Sequence, residues 1–386
     1  MDFSLTEDQK LVRDTVRQFM ETELRPLLRQ LERDEQFPAE QIRKLGEMGF
    51  LGMLVPEEYG GSGSDSLSYA IALEEMARVC ATTAVTVSVN TSVVCMPIFR
   101  HGTEAQKKKY LVPCARGEML GAFCLTEPQA GSDSAGIQTR AERRGDDYFL
   151  NGTKSWVTNG GVSGVYLIMA VSGPGQGARG VSAFLVEPNF PGFRIARYED
   201  KMGLRMSHSA EILLADCQVP VENRLGDEGQ GLKIALEALD GGRVGIAAQC
   251  VGIAQGAFEE AVKHARQRKA FGKNIAEFQA IQWMLADMET EIQAARMLTY
   301  QAAHVRDLGG GRLGAYASRA KLYASEMANR VAAKAVQILG SSGYSRDSDV
   351  ERMYRDARVT TIYEGTSEVQ RMIIARDLLA ASGSGV

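Results

Sequence analysis

The sequence predicts an α+β multidomain protein with an all-α N-terminal domain, a β-barrel or sandwich-like middle domain and a helical bundle at the C-terminus. Apolar residues recur at helical spacing up to about Arg116. Short β-branched and aromatic runs, separated by turn residues, then extend from Gly121 to about Glu222. Helical spacing returns at Gly229 and lasts to Leu379. We therefore expect three domains, at residues 1–120, 121–228 and 229–386.

Caps and loops place the elements of the first domain. Thr6 and Gln9 have the spacing of a capping box, so a helix is expected to begin there. The stretch 56–63, Pro-Glu-Glu-Tyr-Gly-Gly-Ser-Gly, is a loop by composition. Further helices are expected at 70–80 and 106–111.

Turn residues divide the other two domains. Strands are expected at 165–171, 181–186 and 210–214, and the Asn151-Gly152 pair predicts a tight hairpin. Gly309–Gly311 is expected to join two long antiparallel helices.

One glycine-rich stretch is superficially similar to the glycine motif of dinucleotide-binding folds. It is Gly-Pro-Gly-Gln-Gly at 173–177, and it lies between two expected strands. No helix begins after it, and the chain has no alternation of strand and helix, which that fingerprint requires. We interpret it as a surface loop.

Charge and composition exclude several classes of function. The 386 residues carry a net charge of −4, and no basic domain emerges that could neutralise nucleic-acid phosphates. The N-terminus has no apolar signal region, and no run approaches the roughly 18–20 apolar residues of a membrane span. We expect a cytoplasmic, bacterial-like protein that binds neither nucleic acid nor membrane, with a mature mitochondrial form as the alternative.

Cysteine and histidine spacing predicts neither disulfides nor a metal site. The six cysteines lie far apart without a C-x-x-C pair, and the four histidines are equally scattered. Lone thiols in a reducing compartment fit this pattern better than a disulfide framework. Metal ligands would need closer spacing.

Three stretches are candidates for binding a cofactor. Residues 123–133 run from an alternating strand into a hydroxyl-rich turn, which could hold polar edges or form an ordinary Asx turn. Trp156 could pack on a planar ring or fill the core. The run 266–273, Arg-Gln-Arg-Lys-Ala-Phe-Gly-Lys, could attract phosphate or form a solvated face.

The fourth candidate is a carboxylate. Glu364 lies between Tyr363 and Gly365, just before a helix that Ser367 and Gln370 are expected to cap. Burial would raise its pKa, and the helix dipole would offset part of the rise. Such a carboxylate suits proton abstraction next to a carbonyl, although a solvated turn residue is the commoner case.

Taken together, these stretches resemble acyl-CoA dehydrogenases over essentially the whole chain. Residues 124–136, CLTEPQAGSDSAG, are similar to the first signature of that family. Residues 337–347, QILGSSGYSRD, are similar to the second, about 200 residues further on. The resemblance implies a C-terminal four-helix bundle, a homotetramer, FAD as cofactor, acyl-CoA as substrate and electron-transferring flavoprotein as partner.

The resemblance also assigns roles to matching positions. From the β-domain it implies FAD contacts at Phe123, Leu125, Thr126, Gly131, Ser132, Trp156, Val157 and Thr158. From the C-terminal domain it implies FAD contacts, several across a subunit boundary, at Arg268, Phe271, Gln279, Gln337, Gly340, Ser341, Thr366 and Glu368. Substrate contacts are implied at Ser132, Asp240, Gly241, Gly242, Arg243, Tyr363 and Gly365.

The base and the substrate follow from the same comparison. Some members place the base at the position of Gly242, which has no side chain here, so Glu364 is the expected catalytic base. The stretches 88–98 and 239–246 look most like short-chain members, which favours butyryl-CoA, with a 2-methyl-branched acyl-CoA second. No arginine stands out as a partner for a substrate carboxylate, which disfavours glutaryl-CoA. The alternative functions are an oxygen-using oxidase and a non-catalytic helical scaffold.

Overall fold

The N-terminal domain is helical. The computed structural model describes residues 4–309 and 312–381. The expected capping box is confirmed, because the Thr6 hydroxyl accepts the Gln9 N–H at 3.2 Å and the Gln9 side chain accepts the Thr6 N–H at 3.1 Å. The helices are α1 (Glu7–Phe19), α2 (Leu28–Asp34), α3 (Ala39–Glu47), α4 (Ser66–Val79), α5 (Ala81–Ser88), α6 (Met96–His101), α7 (Glu104–Gln106) and α8 (Val112–Arg116). π-helical turns at Met20–Leu24, Val89–Cys95 and Lys107–Leu111 extend or connect them.

The segment Ala81–His101 is the most apolar of these helical stretches. Its 21 residues are long and apolar enough to cross a membrane, with a mean hydropathy of 1.4 in the best window. However, 94% of that window is buried inside the structure. Packing in the protein core therefore accounts for its composition.

The middle domain is one eight-stranded sheet. Its order is β6-β7-β3-β2-β4-β5-β8, and β1 pairs in parallel with β4. The strands expected at 165–171 and 181–186 are confirmed within it. The strands are β1 (Gly121–Cys124), β2 (Arg140–Arg144), β3 (Asp147–Thr158), β4 (Val165–Val171), β5 (Val181–Val186), β6 (Phe193–Tyr198), β7 (Ser209–Pro220) and β8 (Arg224–Leu225).

The hairpin expected at Asn151-Gly152 is wrong. β3 runs straight through this pair, and the turn that joins β2 to β3 lies earlier, at Gly145 and Asp146. Pairing with β7, which lies some 60 residues further along the chain, holds the pair in the sheet; the Asn151 amide donates to Asp216 at 3.0 Å. The register shifts between Leu150 and Gly152, so the local turn signal marks a bulge in the strand. The glycine-rich stretch at 173–177 is a surface loop between β4 and β5, as expected.

Long helices return after the sheet and confirm the helical C-terminal domain. They are α9 (Gly231–Gln267), α10 (Gln279–Asp307), α11 (Leu313–Leu339), α12 (Ser341–Tyr344), α13 (Asp349–Arg358) and α14 (Ser367–Ala381), with a short hairpin of β9 (Lys269–Ala270) and β10 (Lys273–Asn274) after α9. α10 and α11 are joined across Gly309, and Gly310 and Gly311 lie outside the described residues. α9 packs against α4, α10 and α11, so one core joins the first and last domains.

The β-domain is fixed to the helical core beside β1. The Asn90 side-chain oxygen accepts the Gly121 N–H at 2.9 Å, and the Asn90 amide donates to the carbonyls of Leu51 and Cys114. A fully buried asparagine with all these bonds satisfied is a rigid link. The turn that follows β1 therefore has a defined position relative to α9.

Candidate active site

The turn that carries Glu364 has an uncommon backbone conformation. Glu364 has a φ of 51° and Gly365 a φ of 95°, so two successive residues lie in the positive-φ region. Three side chains hold this turn. Lys321 donates to the Gly365 carbonyl at 2.7 Å, the Tyr363 hydroxyl donates to Gln249 at 2.7 Å, and the Gln370 amide donates to the Glu364 and Gly365 carbonyls at 3.1 and 2.9 Å.

The expected cap of α14 is off by one residue. The Thr366 hydroxyl accepts the Val369 N–H at 3.4 Å, so Thr366 rather than Ser367 is the capping residue. The Ser367 hydroxyl is buried with no hydrogen-bond partner among the described residues. Gln370 cannot complete a capping box with Ser367, because its amide is bonded to the carbonyls of the Glu364 turn.

Gly242 on α9 leaves the space that the Glu364 carboxyl fills. A Cβ at Gly242 would lie 3.0 Å from Cδ of Glu364, closer still to Oε2, and 3.1 Å from Cγ1 of Val93. Oε2 itself is buried and has no hydrogen-bond partner among the described residues. Oε2 therefore lies against Gly242 with its lone pairs unused by the described part of the chain.

Burial sets the proton affinity of this acid. Loss of solvent raises the pKa of Glu364 to about 7, against the opposing effects of the Arg243 and Lys321 cations. Burial in turn lowers the pKa of Lys321 to about 8. A carboxylate with a pKa near neutrality can take a proton and release it again at the pH of a cell.

Asp240 and Arg243 form an ion pair on one face of α9. The Arg243 guanidinium donates to the Asp240 carboxylate, and its side chain is only 6% exposed. Burial lowers the pKa of Arg243, while Asp240 and Glu364 raise it. The Arg243 cation also lowers the pKa of Glu364, so its charge acts on the acid as well as on Asp240.

A buried ion pair fixes the turn after β1, where flavin contacts are expected. Lys154 donates to Glu127 at 2.7 Å and to the Leu125 carbonyl at 3.1 Å, and both charged side chains are almost fully buried. Loss of solvent would raise the pKa of Glu127, but Lys154 and the N–H groups of 138–139 hold it down at about 2. The Ser155 N–H donates to the Thr126 carbonyl at 2.9 Å, so the backbone segments that carry Thr126 and Trp156 lie side by side.

The expected β-domain contacts fall into exposed and buried groups. Trp156 has a φ of 59° and is 60% exposed, although Lys154, two residues before it, is fully buried. Gly131 and Ser132 are exposed, while Phe123, Thr126 and Thr158 are half-buried. Leu125 and Val157 are buried in two different cores, so their side chains pack inside the protein.

The C-terminal positions lie on other surfaces of the protein. Arg268 follows α9, Phe271 is 96% exposed in the β9–β10 hairpin, and Gln279 begins α10. The remaining positions lie at the end of α11 and the start of α14 and are mostly exposed or half-buried; they are Gln337, Gly340, Ser341, Thr366 and Glu368. Their roles stay predictions, and their exposure leaves them open to a cofactor or a second subunit.

Sequence reasoning missed the residues that hold the acid. Lys321 and Gln249 match no motif, and the sequence predicts Gln370 only as part of a capping box with Ser367. Lys321 did leave a signal, because it stands among alanines on the buried face of α11 and is itself fully buried. A lysine in such a row usually has a specific partner.

Two separate surfaces of the protein suit the two ends of a flat, partly apolar cofactor with a charged tail. An exposed indole stands beside the polar turn of Thr126, and the exposed run after α9 carries the cations Arg268, Lys269 and Lys273. An isoalloxazine ring and a pyrophosphate need these two environments.

Comparison with known proteins agrees with this geometry. The sequence matches the acyl-CoA dehydrogenase N-terminal domain at residues 6–118, the middle domain at 122–217 and the C-terminal domain at 229–379. It is 49% identical to the short-chain specific acyl-CoA dehydrogenase of Clostridium acetobutylicum, over 97% of this chain and 99% of the relative. The chain belongs to the acyl-CoA dehydrogenase family, and it is an oxidoreductase that uses FAD.

Two solved structures share its fold. Butyryl-CoA dehydrogenase from Megasphaera elsdenii has a TM-score of 0.96 and 45% identity, covering 98% of this chain and 100% of the other. A second structure has a TM-score of 0.97 and 48% identity at the same coverage. It belongs to a study of the electron transferring flavoprotein of Acidaminococcus fermentans and of flavin-based electron bifurcation.

Proposed function

We propose that this acyl-CoA dehydrogenase converts a short-chain acyl-CoA to the trans-2-enoyl-CoA, with Glu364 as the base that removes the α-proton. One observation carries this proposal. Oε2 of Glu364 is buried against Gly242 without a hydrogen-bond partner in residues 4–309 and 312–381, and the pKa of Glu364 is raised to about 7. A carboxylate in a water-excluded site near neutral pKa suits abstraction of a proton next to a thioester carbonyl.

The residues around Glu364 support each part of that step. The hydrogen bonds of Lys321, Tyr363 and Gln370 fix the turn, so the Glu364 carboxylate is already oriented when the substrate binds. The Glu364 backbone N–H, presented by the same turn, is the donor that we assign to the thioester carbonyl. Arg243 and Lys321 stabilise the carboxylate before the proton arrives. FAD, when bound, accepts the hydride that leaves the β-carbon.

Butyryl-CoA is the substrate that we favour, with a 2-methyl-branched short-chain acyl-CoA as the alternative. The relatives described as short-chain specific and as butyryl-CoA dehydrogenase support the shorter chain. We place the CoA nucleotide near the Asp240–Arg243 pair and the acyl group against Gly242, with further substrate contacts at Ser132, Tyr363 and Gly365.

Electron-transferring flavoprotein is the acceptor that we propose, supported by the description of the structure at 48% identity. An acyl-CoA oxidase, which would pass electrons to oxygen, is the less favoured alternative. We also propose a homotetramer in the cytoplasm. The exposed Phe271 and Trp283 side chains, at 96% and 65%, support contact with further subunits.

A turnover panel tests the proposal. Steady-state rates with straight and 2-methyl-branched CoA esters, measured with a dye acceptor, are expected to peak at butyryl-CoA. Stopped-flow reoxidation of the reduced protein in air is expected to be slow, because the electrons go to a protein partner. A peak at a branched or longer ester would reject butyryl-CoA, and fast reoxidation by oxygen would reject the dehydrogenase in favour of the oxidase.

A further inference from the structure

Two buried asparagines hold the first residue of β1 from opposite sides. Asn90 of the helical domain accepts the Gly121 N–H at 2.9 Å, and Asn159, which directly follows β3, donates to the Gly121 carbonyl at 3.2 Å. Both asparagine side chains are fully buried. Asn159 also donates to the Thr86 carbonyl on α5 at 3.3 Å. One amide group therefore joins β1 and β3 to a helix of the N-terminal domain.

The Asn159 side chain acts here as a donor. Both of its neighbours are carbonyl oxygens, which only accept, and an amide nitrogen has the two N–H groups that they need. Oδ1 has no hydrogen-bond partner in the described residues 4–309 and 312–381. The backbone has a φ of 63°, which asparagine tolerates, and its carbonyl accepts from the Ser163 hydroxyl at 2.9 Å. The turn after β3 is thus held at both its side chain and its backbone.

The two strands that meet at this amide lead to segments where flavin contacts are expected. β1 runs from Gly121 to Cys124 and the chain then reaches Thr126. Thr158 is the last residue of β3 and the neighbour of Asn159. A displacement of the Asn159 amide therefore moves both segments relative to the helices.

The helical segment Ala81–His101 carries the carbonyl and the asparagine of this cluster, and it also borders the acid. A Cβ at Gly121 would lie 2.5 Å from Cγ1 of Val94. A Cβ at Gly242, the glycine that faces the acid, would lie 3.1 Å from Cγ1 of Val93. The start of β1 and the glycine beside the acid therefore pack against adjacent residues of one segment.

We propose that Asn159 is a positioning residue, which holds the flavin-binding strands to Ala81–His101 and so fixes the flavin at its working distance from Glu364. This inference rests on the proposed function, in which the α-proton goes to Glu364 and the β-hydride, with its electron pair, goes to the flavin. Asn159 acts through Thr126 and Thr158. Its loss leaves the acid in place but displaces the hydride acceptor, and a displacement of about 1 Å costs about 100-fold in rate.

The two steps can be measured separately in the FAD-loaded enzyme. Anaerobic bleaching of the flavin by butyryl-CoA reports hydride transfer. Uptake of deuterium at the α-carbon of butyryl-CoA in D2O, after the flavin has been reduced with dithionite, reports proton removal alone. Glycine removes the Asn159 side chain and adopts a positive φ without strain. Asn159→Gly is expected to slow bleaching by about 10–100-fold, while deuterium uptake stays within about twofold of the wild-type rate.

The visible circular dichroism of the bound flavin adds a readout that does not depend on turnover, because it reports how the ring is held by the protein. This signal is expected to change in Asn159→Gly. Asn223 provides the matched control, since it is another buried asparagine that joins the β-domain to a helical segment, donating to the Leu185 carbonyl at 2.6 Å and to the Tyr110 hydroxyl at 2.8 Å. Asn223→Ala is expected to leave the flavin signal and both rates unmoved.

A second substitution keeps the test open if Asn159→Gly does not fold. Asn159→Ser keeps one donor and is expected to give a smaller change in the same direction. Bleaching at the wild-type rate in these variants, an equal loss of bleaching and deuterium uptake, or the same changes in Asn223→Ala would overturn the positioning role alone. No deuterium uptake by the wild type would overturn the proposed function of Glu364 and the positioning role with it.

Discussion

Replacing Gly242 with alanine is expected to lower turnover about 100-fold without lowering the stability of the protein. The added Cβ would lie 3.0 Å from Cδ of Glu364 and closer to Oε2, whereas carbon atoms pack at about 3.5–4.0 Å. The carboxyl must therefore move by about 1 Å, and a displacement of that size at a reacting group costs about 100-fold.

Stability is expected to move the other way. The atom that must shift is the far end of a flexible side chain, and alanine is about 1 kcal/mol more favourable than glycine inside a helix. Thermal melting of the FAD-loaded protein and dye-coupled turnover of butyryl-CoA measure the two effects separately.

A second substitution provides the control. Glu364→Asp withdraws the carboxyl by one methylene, so adding Gly242→Ala to it is expected to cost far less than adding it to the wild type. Turnover of Gly242→Ala close to the wild-type rate would refute the packing argument. A fall in melting temperature that matches the loss of activity would make Gly242 a purely structural residue.

Three other substitutions test the neighbours of the site. Lys321→Met removes a cation that lowers the Glu364 pKa, so that pKa is expected to rise. In the wild type kcat/KM is expected to fall below about pH 7 as Glu364 is protonated, and in Lys321→Met this fall is expected to begin at higher pH. Lys321→Arg, which keeps the charge, is expected to leave the profile in place. Lys154→Met leaves the Glu127 carboxylate buried without its partner, which is expected to lower the free energy of unfolding by about 3–5 kcal/mol. The melting temperature and the flavin absorbance of the purified protein are expected to fall together. Arg268→Ala is expected to lower the flavin-to-protein absorbance ratio through loss of a charge-assisted phosphate contact, and an unchanged ratio would count against that contact.

Local sequence patterns were sufficient for the order of the domains and for the acid. Helical and strand periodicities are properties of neighbouring residues, so the α, β, α order could be read directly from them. Glu364 could be singled out as the candidate base because a segment that resembles the family and a helix start coincide at one place in the chain.

Specific contacts that no sequence pattern reports account for the residues that were missed and for the expectations that failed. Lys321 lies 44 residues before the carbonyl that it holds, and no local pattern reports such a bond. Asn151-Gly152 has the composition of a turn, but strand pairing with β7 overrides it. Thr366 and Ser367 are both able to cap a helix, and the bonds of Gln370 to the Glu364 turn decide between them.

Anaerobic flavin reduction in Glu364→Gln tests the central claim most directly. Glutamine keeps the size of the side chain but cannot take a proton, and the loss of a general base costs about 10²–10⁴-fold. The variant is expected to purify with its FAD and to bind butyryl-CoA, yet to leave the flavin oxidised over the time in which the wild type is fully reduced. Bleaching of the flavin at the wild-type rate would show that another group removes the α-proton.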